Sequence, residues 1–327
     1  MINVLILGEL TDSKTLDPVT GELIAAAEQL GDGICVLLMG TGLDGAAGEA
    51  IALGAGTIYT VEDEALDGQA VDLQVLAMTQ VCQQVNPKVV LVGKTQNGRD
   101  IGPRVAFRLG AGLAQDCIRI GIAAETGRVV ATRPVYGGNA VATVTFSGNG
   151  TQVVLMRGKV YEAPVPDSSK TGEVVAISVD LGGSVNRVRS LRTVAQASEG
   201  VRLEDANIVV SGGRGLGGAE PFEMVQELAH ILGGAMGASR AACDAGWLDH
   251  SYQVGLTGRT IAPNVYITVG ISGASQHMAG CSGAKNVVAI NKDREANIFK
   301  EATYGVVGDW QGVLPSFMET IRELVKS

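Results

Sequence analysis

Residues Val209-Val210-Ser211-Gly212-Gly213-Arg214-Gly215-Leu216-Gly217-Gly218 form an apolar run that stops on a glycine–arginine turn ahead of a helical pattern. Few architectures accept a buried strand, a turn of bare backbone and a helix in that order. An open α/β sheet does, and there the free N–H groups and the helix N-terminus face an anion, as a rule a nucleotide phosphate. Gly213, Gly215 and Gly218 also satisfy the spacing G-x-G-x-x-G. A nicotinamide-binding unit would carry an acidic residue about 20 positions on, at the end of its second strand, to hold the ribose hydroxyls. Here the next short apolar segment, Ala235–Ala238, ends in Ser239-Arg240. A hydroxyl and a guanidinium suit a phosphate or an electron-rich ring better than a ribose diol. The pattern points to a dinucleotide, with NAD not the favoured one.

At 327 residues the chain is long enough for two domains, since single cores rarely grow past about 250–300 residues. Its 45 glycines are about twice the usual share and sit at strand ends and helix starts without a collagen period. A net charge of −9 and an aromatic content of 4% disfavour a nucleic-acid partner, which needs basic surface and stacking platforms. The cysteines Cys35, Cys82, Cys117, Cys243 and Cys281 are odd in number and far apart, which fits a reducing compartment and no metal or iron–sulfur site. Asn3–Leu7 reads as a buried strand with no leader before it, and no window of about 18 apolar residues occurs. The expectation is a cytoplasmic bacterial protein that is not membrane-embedded.

The first half alternates strand and helix. Strands are predicted at Asn3–Leu7, Ile34–Met39, Thr57–Val61 and Lys88–Val92, with helices at Val19–Leu30, Leu43–Leu53, Val71–Gln84 and Arg99–Leu109. That rhythm implies right-handed crossovers and a mostly parallel sheet. Short runs at period two follow at Cys117–Ile122, Val129–Arg133, Ala140–Phe146 and Gln152–Met156, the last two joined by a hairpin turn at Ser147-Gly148-Asn149-Gly150. They predict antiparallel strands added to the parallel sheet. A Pro/Ser-rich connector and one more strand, Val174–Val179, precede a polar stretch in which Arg187, Arg189 and Arg192 are either solvated surface or a partner-facing cluster. The rhythm then restarts, with strands at Ile208–Val210, Val265–Val269, Asn286–Ile290 and Gly305–Val307 and helices near Pro221–Leu232 and Val313–Val325. The predicted organisation is an N-terminal α/β domain over 1–190 and a doubly wound domain over 200–327.

Ligands of such sheets lie beyond the carboxyl ends of the strands, and four segments fall there. They are Gly213-Arg214-Gly215, Ser239-Arg240, Gln253-Val254-Gly255-Leu256-Thr257-Gly258 and Ser272-Gly273-Ala274-Ser275-Gln276-His277. Each joins small residues to one side chain that donates a hydrogen bond or a charge. There is no G-x-S-x-G nucleophile turn and no phosphate-binding G-x-x-x-x-G-K-[ST] loop. Of the three histidines, His230 lies inside a helix pattern and His250 follows Asp249 in a polar turn. With no evident acid–base pair, cofactor-borne electron chemistry suits the chain better than proton chemistry. Two other classes stay open on these residues: a nicotinamide dehydrogenase, on the glycine spacing alone, and a non-redox scaffold that binds AMP or ATP, on Gly40, Gly42, Gly45 and Gly48.

Over nearly its whole length the sequence resembles the α subunit of electron-transfer flavoprotein. The likeness is carried by Val209–Leu216, Gly237-Ala238-Ser239-Arg240-Ala241-Ala242, Asp244-Ala245-Gly246, Ala262-Pro263-Asn264-Val265-Tyr266-Ile267, Gly270–Ala274, Gln276-His277 and Ala289-Ile290-Asn291-Lys292-Asp293. Gly98-Arg99-Asp100, Pro103-Arg104-Val105-Ala106 and the run from Arg133 to Asn139 carry it in the first domain. The resemblance implies a heterodimer with a β subunit, contacted by the first domain, and FAD held by the second. It implies relay of electrons from flavoprotein dehydrogenases, such as the acyl-CoA dehydrogenases of fatty acid oxidation, to a quinone oxidoreductase or another acceptor. An electron-bifurcating member that oxidises NADH with two FAD is the alternative within the family.

By position, the resemblance sets Arg214 and Ser239 by the FAD phosphates and ribityl chain, Arg240 by the isoalloxazine ring, Thr257 by its N5 and His277 by its C2 carbonyl. It wraps Ser272, Gly273, Ala274, Ser275, Gln276 and His277 around the cofactor, with Gln253, Val254, Gly255 and Leu256 beside it, and gives the adenosine end to Asn291, Asp309 and Trp310. Arg240, Thr257 and His277 are thus the residues expected to tune the ring. A cation about 4 Å from the reduced ring is worth up to about 4 kcal/mol at an effective dielectric near 20, which favours an anionic semiquinone. Two positions depart from the family: Leu256 stands where a Gln usually precedes Thr-Gly, and Ser275 where a larger apolar residue is common.

Overall fold

A computed structural model of the chain describes residues 3–182 and 201–326, apart from 32, 69, 137–139 and 149. Arg187, Arg189 and Arg192 lie outside the described residues, as do Gly137, Gly138 and Asn139 of the first-domain motif and Asn149 of the expected hairpin turn. The chain divides into two compact units, one drawn from Met1–Val135 and Val141–Val194 and the other from Tyr136–Ala140 and Ala195–Ser327.

The first unit opens with β1 (Asn3–Leu7), α1 (Pro18–Glu28), β2 (Gly33–Gly40), α2 (Asp44–Leu53), β3 (Thr57–Glu62), α3 (Val71–Val85), β4 (Val89–Gly93) and α4 (Gln96–Arg108). These elements form where their sequence asks. Asp17 caps α1 by accepting from the Val19 N–H at 3.0 Å, and Pro18 fills the first turn, where a missing N–H costs nothing. Thr95 does the same for α4 through the Gly98 N–H at 2.9 Å. The strands are continuous apolar runs because helices cover both faces of the sheet: Val4, Leu5, Ile6, Val36, Leu37, Leu38, Val89, Val90 and Leu91 are all fully buried.

The strands that follow are β5 (Gly112–Cys117), β6 (Arg119–Ile122), β7 (Val129–Val135), β8 (Ala140–Thr145), β9 (Gln152–Met156) and β10 (Glu173–Ala176). The main sheet has the order β10-β3-β2-β1-β4-β9-β5, and every neighbouring pair in it is parallel. Antiparallel pairing occurs, but in a separate three-stranded sheet, β6-β7-β8. Gln152–Met156 therefore does not return beside Ala140–Thr145 as a hairpin. All five of its residues are buried, a requirement that one solvated antiparallel ribbon cannot meet and the slot between β4 and β5 can.

The second unit contains β11 (Ile208–Gly212), α5 (Phe222–Ile231), β12 (Ala235–Ser239), α6 (Arg240–Asp244), β13 (Gln253–Val254), β14 (Val265–Val269), α7 (Ser275–Cys281), β15 (Asn286–Asn291), α8 (Ile298–Glu301), β16 (Tyr304–Val307) and α9 (Trp310–Lys326). Its sheet runs β13-β12-β11-β14-β15-β16 with parallel neighbours throughout. In order of appearance that is 3-2-1-4-5-6, the doubly wound order whose direction reverses between its first and fourth strands. The crevice for a ligand is therefore fixed by topology at the carboxyl ends of β11 and β14. The five cysteines are free and buried.

Candidate functional site

At that reversal the glycine–arginine turn leaves β11 and packs onto the backbone beyond β14. The Gly213 N–H donates to the Val269 carbonyl at 2.8 Å and the Gly215 N–H to the Gly270 carbonyl at 3.0 Å. A Cβ on Gly213 would collide with the Gly270 carbonyl. The glycines are thus required by chain-to-chain contact before any ligand is considered. A 3₁₀ turn at Arg214–Leu216 intervenes, and α5 starts only at Phe222. The helix thus begins within one residue of its predicted start, separated from the glycine–arginine turn by that 3₁₀ turn, on which Arg214 stands exposed.

Ser239 ends β12 and Arg240 begins α6. The Ser239 hydroxyl is buried and has no hydrogen-bond partner. Arg240 is mostly exposed, with its Nε 3.2 Å from Asp244 Oδ2 one helical turn on. Next to them, β13 leads into a tight turn closed by the Arg259 N–H to the Gln253 carbonyl at 2.7 Å and the Gly258 N–H to the Gly255 carbonyl at 3.1 Å. Gly255 takes φ +149°, which favours glycine. Leu256 and Thr257 ride exposed at the tip. Gln253 is buried beneath them and donates from Nε2 to Thr257 Oγ1 at 2.9 Å, while its Oε1 lies 2.9 Å from His250 Nδ1.

The fourth segment lies against the third. The Leu256 N–H donates to the Gln276 carbonyl at 2.8 Å, and the Ile261 N–H to the Gly280 carbonyl at 2.7 Å. Ser272, Ala274 and Gln276 are exposed, Gly273 is buried and Ser275 opens α7. His277 points inward. It is 7% exposed, its Nε2 lies 2.8 Å from the Tyr266 hydroxyl, and its Nδ1 is buried without a hydrogen-bond partner. Burial pushes the imidazole down to about 4, against a weaker opposing effect of the Val254 backbone. The cation expected at this position is therefore a neutral ring at pH 7, because desolvation disfavours the charged form. Of Arg240 and His277, the two residues expected to balance charge on the flavin ring, the histidine is thus neutral and the guanidinium charged.

The adenosine-end expectations fall on residues with work inside the fold. Asn291 donates from Nδ2 to the Ile271 carbonyl at 2.9 Å and accepts from the Asp293 N–H at 3.0 Å, so it ties β15 to the fourth segment. Asp309 accepts from the Gln311 N–H at 3.1 Å at the start of α9, and Trp310 packs against the core of the unit. Tyr266 and His250 were not singled out by sequence. The one signal for Tyr266 is a hydroxyl inside the apolar strand Val265–Val269; for His250 it is its place three residues before Gln253.

The strand-end segments therefore carry buried polar groups without a hydrogen-bond partner, among them Ser239 Oγ and His277 Nδ1, together with two exposed guanidiniums, Arg214 and Arg240. A buried polar atom without a partner costs about 1–3 kcal/mol, a cost that a ligand able to hydrogen-bond there would remove. An anionic dinucleotide with carbonyl and hydroxyl groups fits that set of donors. No cluster of metal-ligating side chains occurs among the described residues. No helix among them is long and apolar enough to cross a membrane.

Two family models match successive parts of the chain. Residues 4–181 match the family model for the electron transfer flavoprotein domain, and residues 202–282 the one for the electron transfer flavoprotein FAD-binding domain. Electron transfer flavoprotein subunit alpha from Bacillus subtilis is 42% identical, with 98% of each chain covered. The protein of that name from Megasphaera elsdenii is 40% identical over 93% of this chain and 90% of its own. That from Thermoanaerobacterium thermosaccharolyticum is 39% identical over 94% and 92%.

Proposed function

The chain belongs to the electron transfer flavoprotein α-subunit family, whose cofactor is FAD, and from that premise we propose that it is one half of a cytoplasmic heterodimeric electron carrier. It pairs with a β subunit, takes electrons from flavoprotein dehydrogenases such as acyl-CoA dehydrogenases, and passes them to a quinone oxidoreductase or another acceptor. FAD supplies the one-electron chemistry, and the chain binds, orients and electrostatically tunes it. The observation that carries this reading is the pair of orphaned buried groups, Ser239 Oγ and His277 Nδ1, on the strand-end segments.

Arg214 and Ser239 bind the phosphates and ribityl chain, and Asn291, Asp309 and Trp310 border the adenosine. Arg240 and Thr257 face the isoalloxazine ring, and His277 meets its C2 carbonyl side as a neutral donor. Gln253, Val254, Gly255 and Leu256, with the run from Ser272 to Gln276, form the wall around it. Arg240 then favours the one-electron-reduced, anionic form of the flavin by Coulomb attraction. Domain limits at 1–190 and 200–327 separate partner contact from cofactor binding.

Co-expression with the β subunit, purification and flavin counting test the proposal. One FAD per heterodimer, lost in a Ser239→Leu variant, is the expected result. A heterodimer without flavin would refute the reading, and two FAD with NADH oxidation would replace the simple carrier by the bifurcating one.

A further inference from the structure

His250, Gln253 and Thr257 form a hydrogen-bonded line whose polarity is set at one end. Two contacts of 2.9 Å make it up, from His250 Nδ1 to Gln253 Oε1 and from Gln253 Nε2 to Thr257 Oγ1. An amide oxygen only accepts and an amide NH₂ only donates. With Oε1 facing the histidine, Nδ1 carries a proton. With Nε2 facing the threonine, Oγ1 accepts, and the hydroxyl proton of Thr257 is left to be given elsewhere. Turning the amide over reverses every step: Nδ1 would accept, Oε1 would take the threonine proton, and Thr257 could offer only lone pairs.

The surroundings favour the first polarity. His250 Nε2 is 3.9 Å from Asp244 Oδ1, and Asp244 holds Arg240 through its other oxygen. Asp249 precedes the imidazole and accepts from the Ser251 N–H, and Gln253 faces it from β13. The two contacts, Oε1 to Nδ1 and Nε2 to Oγ1, are those of the first polarity, and Asp244 lies on the far side of the ring. The buried amide of Gln253 connects an exposed, titratable imidazole to an exposed hydroxyl at the tip of the turn.

We propose that His250 is a positioning residue which, through Gln253, holds Thr257 as a hydrogen-bond donor toward an unprotonated acceptor on the bound flavin ring. The inference rests on the flavin reading of the site given above. A donor at that point stabilises ring nitrogen that carries electron density without a proton, and it disfavours protonation of the same nitrogen.

Two measurements on the full heterodimer test this. The first is the side-chain ¹⁵N spectrum of its histidines between pH 5.5 and 8.5, in which this chain contributes three. Nδ1 of His250 is expected to be protonated at pH 7 and to lose that preference in Gln253→Met. An unprotonated Nδ1 in the parent overturns the proposal whether or not flavin is present. The second is reductive titration of the flavin in His250→Phe and His250→Asn. The maximal yield of one-electron-reduced flavin is expected to fall at least twofold in His250→Phe, with loss of its pH dependence, and to recover by more than half in His250→Asn, whose amide still donates. An unchanged yield and pH profile in His250→Phe overturns the proposal. A preparation without flavin sinks the cofactor reading alone, since the nitrogen spectrum still decides the polarity of the line.

Discussion

The Tyr266 hydroxyl lies 2.8 Å from His277 Nε2, with the two rings near parallel at 24° and both side chains buried. Burial raises the phenol well above its ordinary pKa and pushes the imidazole down to about 4, so both are neutral at pH 7. With the phenol as donor, Nε2 accepts and the ring proton sits on Nδ1, the atom left without a partner. Removing the hydroxyl in Tyr266→Phe strands Nε2 as well. We expect a loss of about 1–3 kcal/mol in denaturant unfolding together with a lower FAD content. A variant as stable as the parent and fully loaded would show that the hydroxyl does not set the tautomer.

His277 also makes stability depend on pH. Its folded pKa of about 4 lies below the ordinary histidine value of 6.5, so the unfolded chain binds more protons between those values. The contribution is present above pH 6.5 and is lost as pH falls toward 4, up to about 3 kcal/mol at about 1.4 kcal/mol per unit. Unfolding curves of parent and His277→Asn at pH 7, 6, 5 and 4 should converge as the pH drops. A gap that stays constant over that range would exclude this titration.

Glu9 acts in the opposite sense in the first unit. It follows β1, accepts from the Thr95 hydroxyl at 2.7 Å, and is raised by burial from 4.5 to about 7. The folded state then binds the extra proton, and stability falls as pH rises from 4.5 through 7. The effect is at most about 3 kcal/mol, less whatever its remaining contact with solvent screens. Glu9→Gln should raise the melting temperature at pH 8 and leave it nearly unchanged at pH 4.5. Equal effects at both pH values would contradict the assignment.

Arg240→Ala should lower the first-electron potential of the flavin while most FAD stays bound. The guanidinium is two-thirds exposed and paired with Asp244 at 3.2 Å, so the change should be tens of millivolts, at about 59 mV per 1.4 kcal/mol for one electron. Spectroelectrochemistry of parent and variant measures it, and an unmoved potential removes Arg240 from the tuning of the ring.

Leu256 stands 46% exposed at the tip of the Gly255–Gly258 turn, so Leu256→Gln should alter stability by no more than about 0.5 kcal/mol. The added amide should shift the flavin absorption bands and raise the first potential. Identical spectra and potentials would mean that position 256 does not face the ring.

The strands and helices were legible in the sequence wherever their signals were local. Asn3–Leu7 and Val265–Val269 match their predicted spans because a buried parallel strand needs only an uninterrupted apolar run. That the four candidate segments sit at strand ends was legible too, because small residues after an apolar run mark the carboxyl end of a strand in an α/β sheet. What the chain alone determined is thus periodicity, turn chemistry and the residue types gathered at strand ends. Tertiary structure decided the rest. Gln152–Met156 joins β4 and β5 in place of a hairpin since its partners come from distant crossovers. His277 is neutral since desolvation depends on every element packed around it, Tyr266 included. Thr257 is tied to His250 since a short strand and a tight turn fold the intervening amide beneath it. Pairing, burial and hydrogen-bond polarity are properties of neighbours in space, and no window along the chain contains them.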